Sequence, residues 1–140
     1  MTANNLRMGD ELDKLVTLLR RYRPVAVYLF GSYAAGTQRP DSDLDLAMLL
    51  PTDRPSLTGP ERMDLIGELE EVAGRQVDLV VLNKAPLPLQ FEVIRTGKVL
   101  YESDSEVRTD AEDLIVRDFL DLQPWYERSY REMIEEAEGG

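Results

Sequence analysis

The chain contains neither cysteine nor histidine. Without thiols it can build no disulfide framework and no thiolate metal centre. Without imidazole, histidine ligation and histidine acid–base catalysis are excluded. No apolar run approaches membrane-spanning length. The start, Met1-Thr2-Ala3-Asn4-Asn5, lacks the basic-then-apolar pattern of a secretory signal, so a cytoplasmic location without membrane contact is expected. Positive charge is scarce: 16 Lys and Arg face 27 Asp and Glu, a formal net charge of −11. A nucleic-acid footprint needs a basic face, so direct nucleic-acid binding is not expected. An acidic surface suits a basic protein partner instead. No Gly-Lys-[Ser/Thr] is present, which excludes a Walker A loop.

What is present reads as one soluble domain over residues 1–140, long enough to bury about two-thirds of its unfolded surface. Leu12, Leu15, Val16 and Leu19 sit at i, i+3, i+4 and i+7, predicting an amphipathic helix over 6–22. Pro24 ends it and leads into a strand over 25–30. A short helix is expected from Ser32 to about Thr37, then a strand over 44–50. Thr58-Gly59-Pro60-Glu61 has the form of a capping box, opening a helix to Ala73 with Met63, Ile66 and Leu69 inward and Gly74 as its stop. Strand 77–82, helix 88–96 and strand 98–102 follow. From Ser105 the chain reads as a helical tail, broken at Pro124, where a new helix is expected to start. The alternation predicts an α/β fold, a small mixed sheet with helices packed on it.

The chemistry concentrates in Gly31-Ser32 and Asp43-Leu44-Asp45, separated by ten residues and flanked by the apolar runs Val25–Phe30 and Leu46–Leu50. A glycine-serine turn after a strand can offer backbone N–H groups and a hydroxyl to phosphate. Carboxylates at i and i+2 on a strand share a face. Mg²⁺ takes one or two carboxylates plus substrate phosphates. Asp78 interrupts the apolar run Val77–Leu82, and a lone acid there is costly unless it is paired or binds metal. Neighbouring strands would bring three carboxylates together, able to hold two metal ions roughly 3.5–4 Å apart. Taken separately, Gly31-Ser32 could be a strand-to-helix turn with a Ser N-cap, and Asp43-Leu44-Asp45 a solvated strand edge. Asp78 could pair with Lys or Arg at a sheet edge. Asp41, Asp43 and Asp45 imitate the start of an EF-hand loop, but Leu46 and Thr52 stand where it needs Gly and Glu.

The pattern Gly-Ser, ten residues, Asp-x-Asp, then a single Asp on a later strand resembles the polymerase-beta-like nucleotidyltransferases. Within them it is most similar to the minimal nucleotidyltransferase (MNT) antitoxins of HEPN/MNT toxin–antitoxin pairs. The likeness covers a catalytic core of about 10–105 and extends to the helical tail, about 105–138. It implies transfer of AMP from ATP, with Mg²⁺, onto a hydroxyl, in this branch a tyrosine of the partner HEPN ribonuclease, which is silenced. Carried over, Gly31 and Ser32 bind the triphosphate, Asp43 and Asp45 hold metal, and Asp78 is the third catalytic carboxylate. Where the antitoxin motif often carries Phe and Arg after Gly-Ser, this chain has Tyr33, Ala34 and Ala35; Arg39 is the candidate replacement for the phosphate contact. The alternatives are a small-molecule nucleotidyltransferase, for which the tail leaves little acceptor-domain material, an antitoxin acting by steric binding alone, and a regulatory nucleotide-binding module of a larger assembly. Three clustered carboxylates would be superfluous to a pure binder. The tail stripe Tyr126, Tyr130, Met133 and Ile134 suits either packing on the domain's own core or a partner-facing surface.

Overall fold

The computed structural model describes the backbone of residues 3–139 and the side chains of residues 9–137. Helix α1 (Ala3–Leu19) ends in a tight 3₁₀ turn, Arg20–Tyr22, where Arg23 takes a left-handed conformation at φ 53° and donates its N–H to the Arg20 carbonyl. Pro24 cannot prolong a helix, and the chain enters β1 (Ala26–Phe30). Next come α2 (Gly31–Ala35), β2 (Leu44–Leu49), α3 (Gly59–Ala73), β3 (Val77–Val81), α4 (Leu87–Thr96), β4 (Lys98–Glu102) and α5 (Ser105–Gly139). The expected element order holds throughout, with ends displaced by one to three residues; Leu82–Lys84, for instance, leaves the strand as a 3₁₀ turn.

The four strands lie in the order β3-β2-β1-β4. β1 runs antiparallel to β2 and β4, whereas β2 and β3 are parallel, so the sheet is mixed. Side-chain alternation gives it two apolar faces. Val27, Leu29, Leu44, Leu46, Met48, Val77 and Leu79 face α1 and α3, meeting Leu15, Leu19, Leu65 and Leu69. Ala26, Tyr28, Ala47 and Leu49 face α4 and α5, meeting Val93 and Ile115.

The capping box is present: Thr58 Oγ1 accepts from Glu61 N (3.1 Å) and Glu61 Oε1 from Thr58 N (2.9 Å). The inward face of α3 holds Leu69 and Ile66 as expected but differs at Met63. Leu65, Leu69 and Ala73 are buried at i, i+4 and i+8, while Met63 is 75% exposed. Arg62, one turn before Leu65 and Ile66, reaches the sheet edge and donates to the Leu79 carbonyl. Pro124 does not break the tail either, since α5 is one helix through it. The Leu120 carbonyl that loses its Pro124 donor belongs to a residue 52% exposed, where water can replace the bond. Across the proline, Phe119 and Tyr126 stack 5.7 Å apart, fastening the two halves together.

The first half of α5 is anchored to the sheet. The buried Tyr28 hydroxyl donates to Glu112 Oε2 at 2.7 Å, and Arg108 pairs with both Glu112 and Glu102. Burial, reinforced by the Glu112 bond, pushes the Tyr28 phenol well above its ordinary range.

Candidate active site

Pairing of β1 with β2 sets Phe30 opposite Asp45, so the residue after Phe30 arrives beside that carboxylate. That residue is Gly31, at φ +72°, a region costly for any residue with a Cβ. A Cβ built there would lie 2.0 Å from Asp45 Oδ2 and 2.9 Å from its Cγ. Only glycine fits, and the backbone of the turn lies directly against the carboxylate. The N-cap of α2 is Phe30, without a side-chain cap, and Ser32 sits inside the helix, which rules out the Ser N-cap reading. The first N–H groups of α2 therefore lack a capping oxygen. Among the described residues the Ser32 hydroxyl has no hydrogen-bond partner either.

Parallel pairing puts Asp78 in register with Asp45 on the neighbouring strand, so both project from the face that also carries Ala47 and Val80. Asp43 stands just ahead of β2, exposed, as is Asp78; Asp45 is half-buried. Partial burial, then Asp78 and then Asp43, push the Asp45 carboxyl up from 3.8 to about 6. Among the described residues no Lys or Arg pairs with any of the three, so the sheet-edge ion pair considered for Asp78 does not form. Nor are three acidic side chains gathered there into a ready-made metal cage. The donors fit a hard divalent cation: oxygens only, carrying excess negative charge, and too few to close its coordination shell without further oxygens from a substrate or water.

The loop from Gly36 to Asp43 connects the turn to the acids. Within it Arg39 N donates to Ser42 Oγ (2.7 Å) and Ser42 N to the Arg39 carbonyl (3.0 Å). This small turn places Arg39 on the connecting loop, exposed, without an ion pair to the acids among the described residues. Two arginines escaped the sequence reading. Arg75 donates to the Tyr33 hydroxyl and to the Ala73 carbonyl and lies 3.8 Å from Glu11, bracing the residue after Ser32 against α1 and α3. Arg62 shares a shallow groove with Asp78 and Lys84 at the β3 edge. Neither carries a spacing signal, because strand pairing and side-chain reach alone bring them near.

Known proteins place this arrangement. The polymerase beta nucleotidyltransferase family pattern matches residues 13–106. Protein adenylyltransferase MntA of Shewanella oneidensis is 35% identical over 96 residues, 67% of each chain. Among solved structures, a toxin–antitoxin with AMP-PNP superimposes with a TM-score of 0.70 at 28% identity, covering 90% of this chain and 97% of that one. A protein assigned as a minimal nucleotidyltransferase gives 0.56 at 31% identity, covering 70% and 95%. The fold is also that of the MNT antitoxin solved with tri-AMPylated Shewanella oneidensis HEPN toxin, with a TM-score of 0.66 at 24% identity over 91% and 95%. With the pattern match spanning all of Gly31, Ser32, Asp43, Asp45 and Asp78, the chain belongs to the polymerase beta nucleotidyltransferase family, among its minimal members.

Proposed function

We propose that the chain is an Mg²⁺-dependent protein adenylyltransferase that moves AMP from ATP onto a tyrosine hydroxyl of a cognate HEPN ribonuclease toxin and so neutralises it. The contact of Gly31 with Asp45 carries this reading. It sets a phosphate-accepting turn and a metal-accepting carboxylate side by side, as a metal-bound triphosphate requires. Asp43 and Asp45, with Asp78 as third carboxylate, would hold Mg²⁺. Bound there, the metal neutralises phosphate charge and lowers the pKa of an attacking hydroxyl. The N–H groups at Gly31 and Ser32, and the Ser32 hydroxyl, hold the triphosphate, with Arg39 as an added cation. The acceptor oxygen attacks the α-phosphorus, forming the new P–O bond as the bond to the bridging α–β oxygen breaks. Pyrophosphate leaves with that electron pair, and the hydroxyl proton passes to Asp78 or to water. Such transfer depends mainly on positioning and charge stabilisation, which suits a chain with no histidine.

The names of the adenylyltransferase relative and of the toxin–antitoxin structures support the activity and the partner. In this reading residues 10–105 are the catalytic core and 105–138 a helical tail of the same domain. The protein works in the cytoplasm; no helix among the described residues is long and apolar enough to cross a membrane. The test is incubation with ATP labelled at the α-phosphate, Mg²⁺ and a HEPN-type ribonuclease offered as the partner. The expected result is label on a tyrosine of that protein, release of pyrophosphate and loss of its ribonuclease activity. Inhibition of the ribonuclease without label would refute the enzymatic reading.

A further inference from the structure

The segment between α3 and β3 reaches every part of the candidate site. Gly74 ends α3 at φ +66°, its N–H donating to the Glu70 carbonyl at 2.8 Å. Val77 N donates to Glu70 Oε2 at 3.0 Å, so Glu70 holds the segment at both ends. From this fixed base three connections run forward. Arg75 Nη1 donates to the hydroxyl of Tyr33, the residue after Ser32. The Gln76 carbonyl accepts from the N–H of Leu44, the residue between Asp43 and Asp45, at 2.9 Å. Val77 leads directly into Asp78. The Gly-Ser turn, the Asp-x-Asp strand and the third carboxylate thus share one short support.

Of the three, the turn depends on this support most. Asp45 and Asp78 are set by the parallel pairing of β2 with β3, which does not involve the Arg75 side chain. Helix α2 has five residues, belongs to no ladder and buries only Ala34. Among the described residues the bond from Arg75 to Tyr33 is its only side-chain hydrogen bond to another element. The half-buried Tyr33 ring packs on the core between the sheet and α1 and α3, with the Arg75 guanidinium 5.2 Å from its centre. Arg75 is itself held: Nε donates to the Ala73 carbonyl at 3.2 Å, and Nη2 lies 3.8 Å from Glu11 Oε2 on α1. Closing the end of α3 would need only the bond to Ala73. The rest of the planar guanidinium fork joins α1 to α2, a use of its fixed donor geometry that helix capping does not require.

We infer that Arg75 is a positioning residue for the triphosphate: through the Tyr33 hydroxyl it fixes how the Gly31-Ser32 turn sits against the Asp45 strand. This rests on the triphosphate site proposed above. Groups standing behind a binding shell orient it, and their loss commonly costs about 10- to 100-fold in affinity or activity although they never touch the ligand. The test uses the full chain, its Tyr33→Phe, Arg75→Met and Arg75→Lys variants and the Tyr33→Phe/Arg75→Met double variant. The probe is Mg²⁺ with α,β-methylene-ATP, whose α–β bridge is not cleaved. Affinity is measured where circular dichroism shows each protein folded, and melting temperature is recorded beside it. Tyr33→Phe removes one hydroxyl and keeps the ring, so the melting temperature should stay within about 2 °C. Its affinity should nevertheless weaken about 10-fold. Arg75→Met should weaken it at least as much, and the double variant no further, because both groups act through one bond. Arg75→Lys, which keeps a donor for the hydroxyl, should recover part of the affinity. Wild-type affinity in Tyr33→Phe would overturn the inference, even with a weak Arg75→Met, whose loss would then belong to the end of α3. Losses that add in full in the double variant would overturn it too. So would an Arg75→Met variant of lowered melting temperature and wild-type affinity, which would make Arg75 purely structural. Should Arg75→Met fail to fold, Tyr33→Phe decides alone. Absence of analogue binding by the unmutated chain would remove the proposed triphosphate site and this inference with it.

Discussion

Replacing Asp45 with Asn should make the isolated protein more stable while destroying its activity. The folded chain holds this carboxyl up at about 6, from an ordinary 3.8, through partial burial and the neighbouring Asp78 and Asp43. The folded state therefore binds a proton more tightly than the unfolded state, so between these two values stability falls as pH rises. Above pH 6 the penalty is complete. Two pKa units correspond to nearly 3 kcal/mol, but the group is half-exposed and solvent screens it, so about 1–1.5 kcal/mol is the working figure. Asn keeps the shape and removes the charge. For a domain of this size that gain should raise the melting temperature by roughly 3–6 °C at pH 7.5. The difference should shrink through pH 6 and nearly vanish by pH 4, where the wild-type group is itself largely neutral. Mg²⁺ with ATP should reverse the order, stabilising the wild type by mass action and leaving the variant unmoved. Thermal unfolding of both proteins across this pH range, with and without Mg²⁺–ATP, measures all of it. A variant no more stable than wild type at pH 7.5 would refute the electrostatic account of the cluster.

Asp43 is exposed and pays no comparable burial penalty, so Asp43→Asn should leave the melting temperature within about 1 °C while cutting AMP transfer on the order of 10³-fold, read by label incorporation. Ser32→Ala removes one charge-assisted phosphate bond of about 1.5–3 kcal/mol and should weaken apparent ATP affinity roughly 10- to 100-fold, with the fold intact by circular dichroism. Gly31→Ala forces a Cβ into Asp45 at positive φ and should cost roughly 2–4 kcal/mol in chemical denaturation, along with all transfer.

Local signals made most of this molecule legible. Thr58 and Glu61 announce the start of α3, Pro24 the end of the first helix, and the Gly-Ser and Asp-x-Asp spacing the candidate site. What the sequence hid depends on which neighbour a side chain meets. Met63 fits an inward position by hydrophobicity, yet α3 turns Leu65 to the sheet in its place, beside the expected Leu69. Pro124 breaks helices as an isolated rule; here the aromatic stack across it and the exposed position of Leu120 leave α5 whole. Arg75 and Arg62 reach the site region through pairings 42 and 17 residues apart, beyond any local pattern.

The places where local rules are strained are also informative about function. A fold selected only for stability would not press a positive-φ backbone onto a carboxylate and then leave two more acids nearby without a cation among the described residues. Natural sequences violate such rules chiefly where the violation serves a site. Removing either acid's charge should relieve the chain or leave it unchanged, whereas replacing Gly31 is itself costly because a Cβ meets Asp45 at positive φ. In the proposed reading a divalent cation carrying phosphate would supply positive charge for the acids and oxygens for the uncapped N–H groups of α2. In that reading the electrostatic strain at Asp45 and the affinity for a metal-bound nucleotide are two aspects of one charge arrangement.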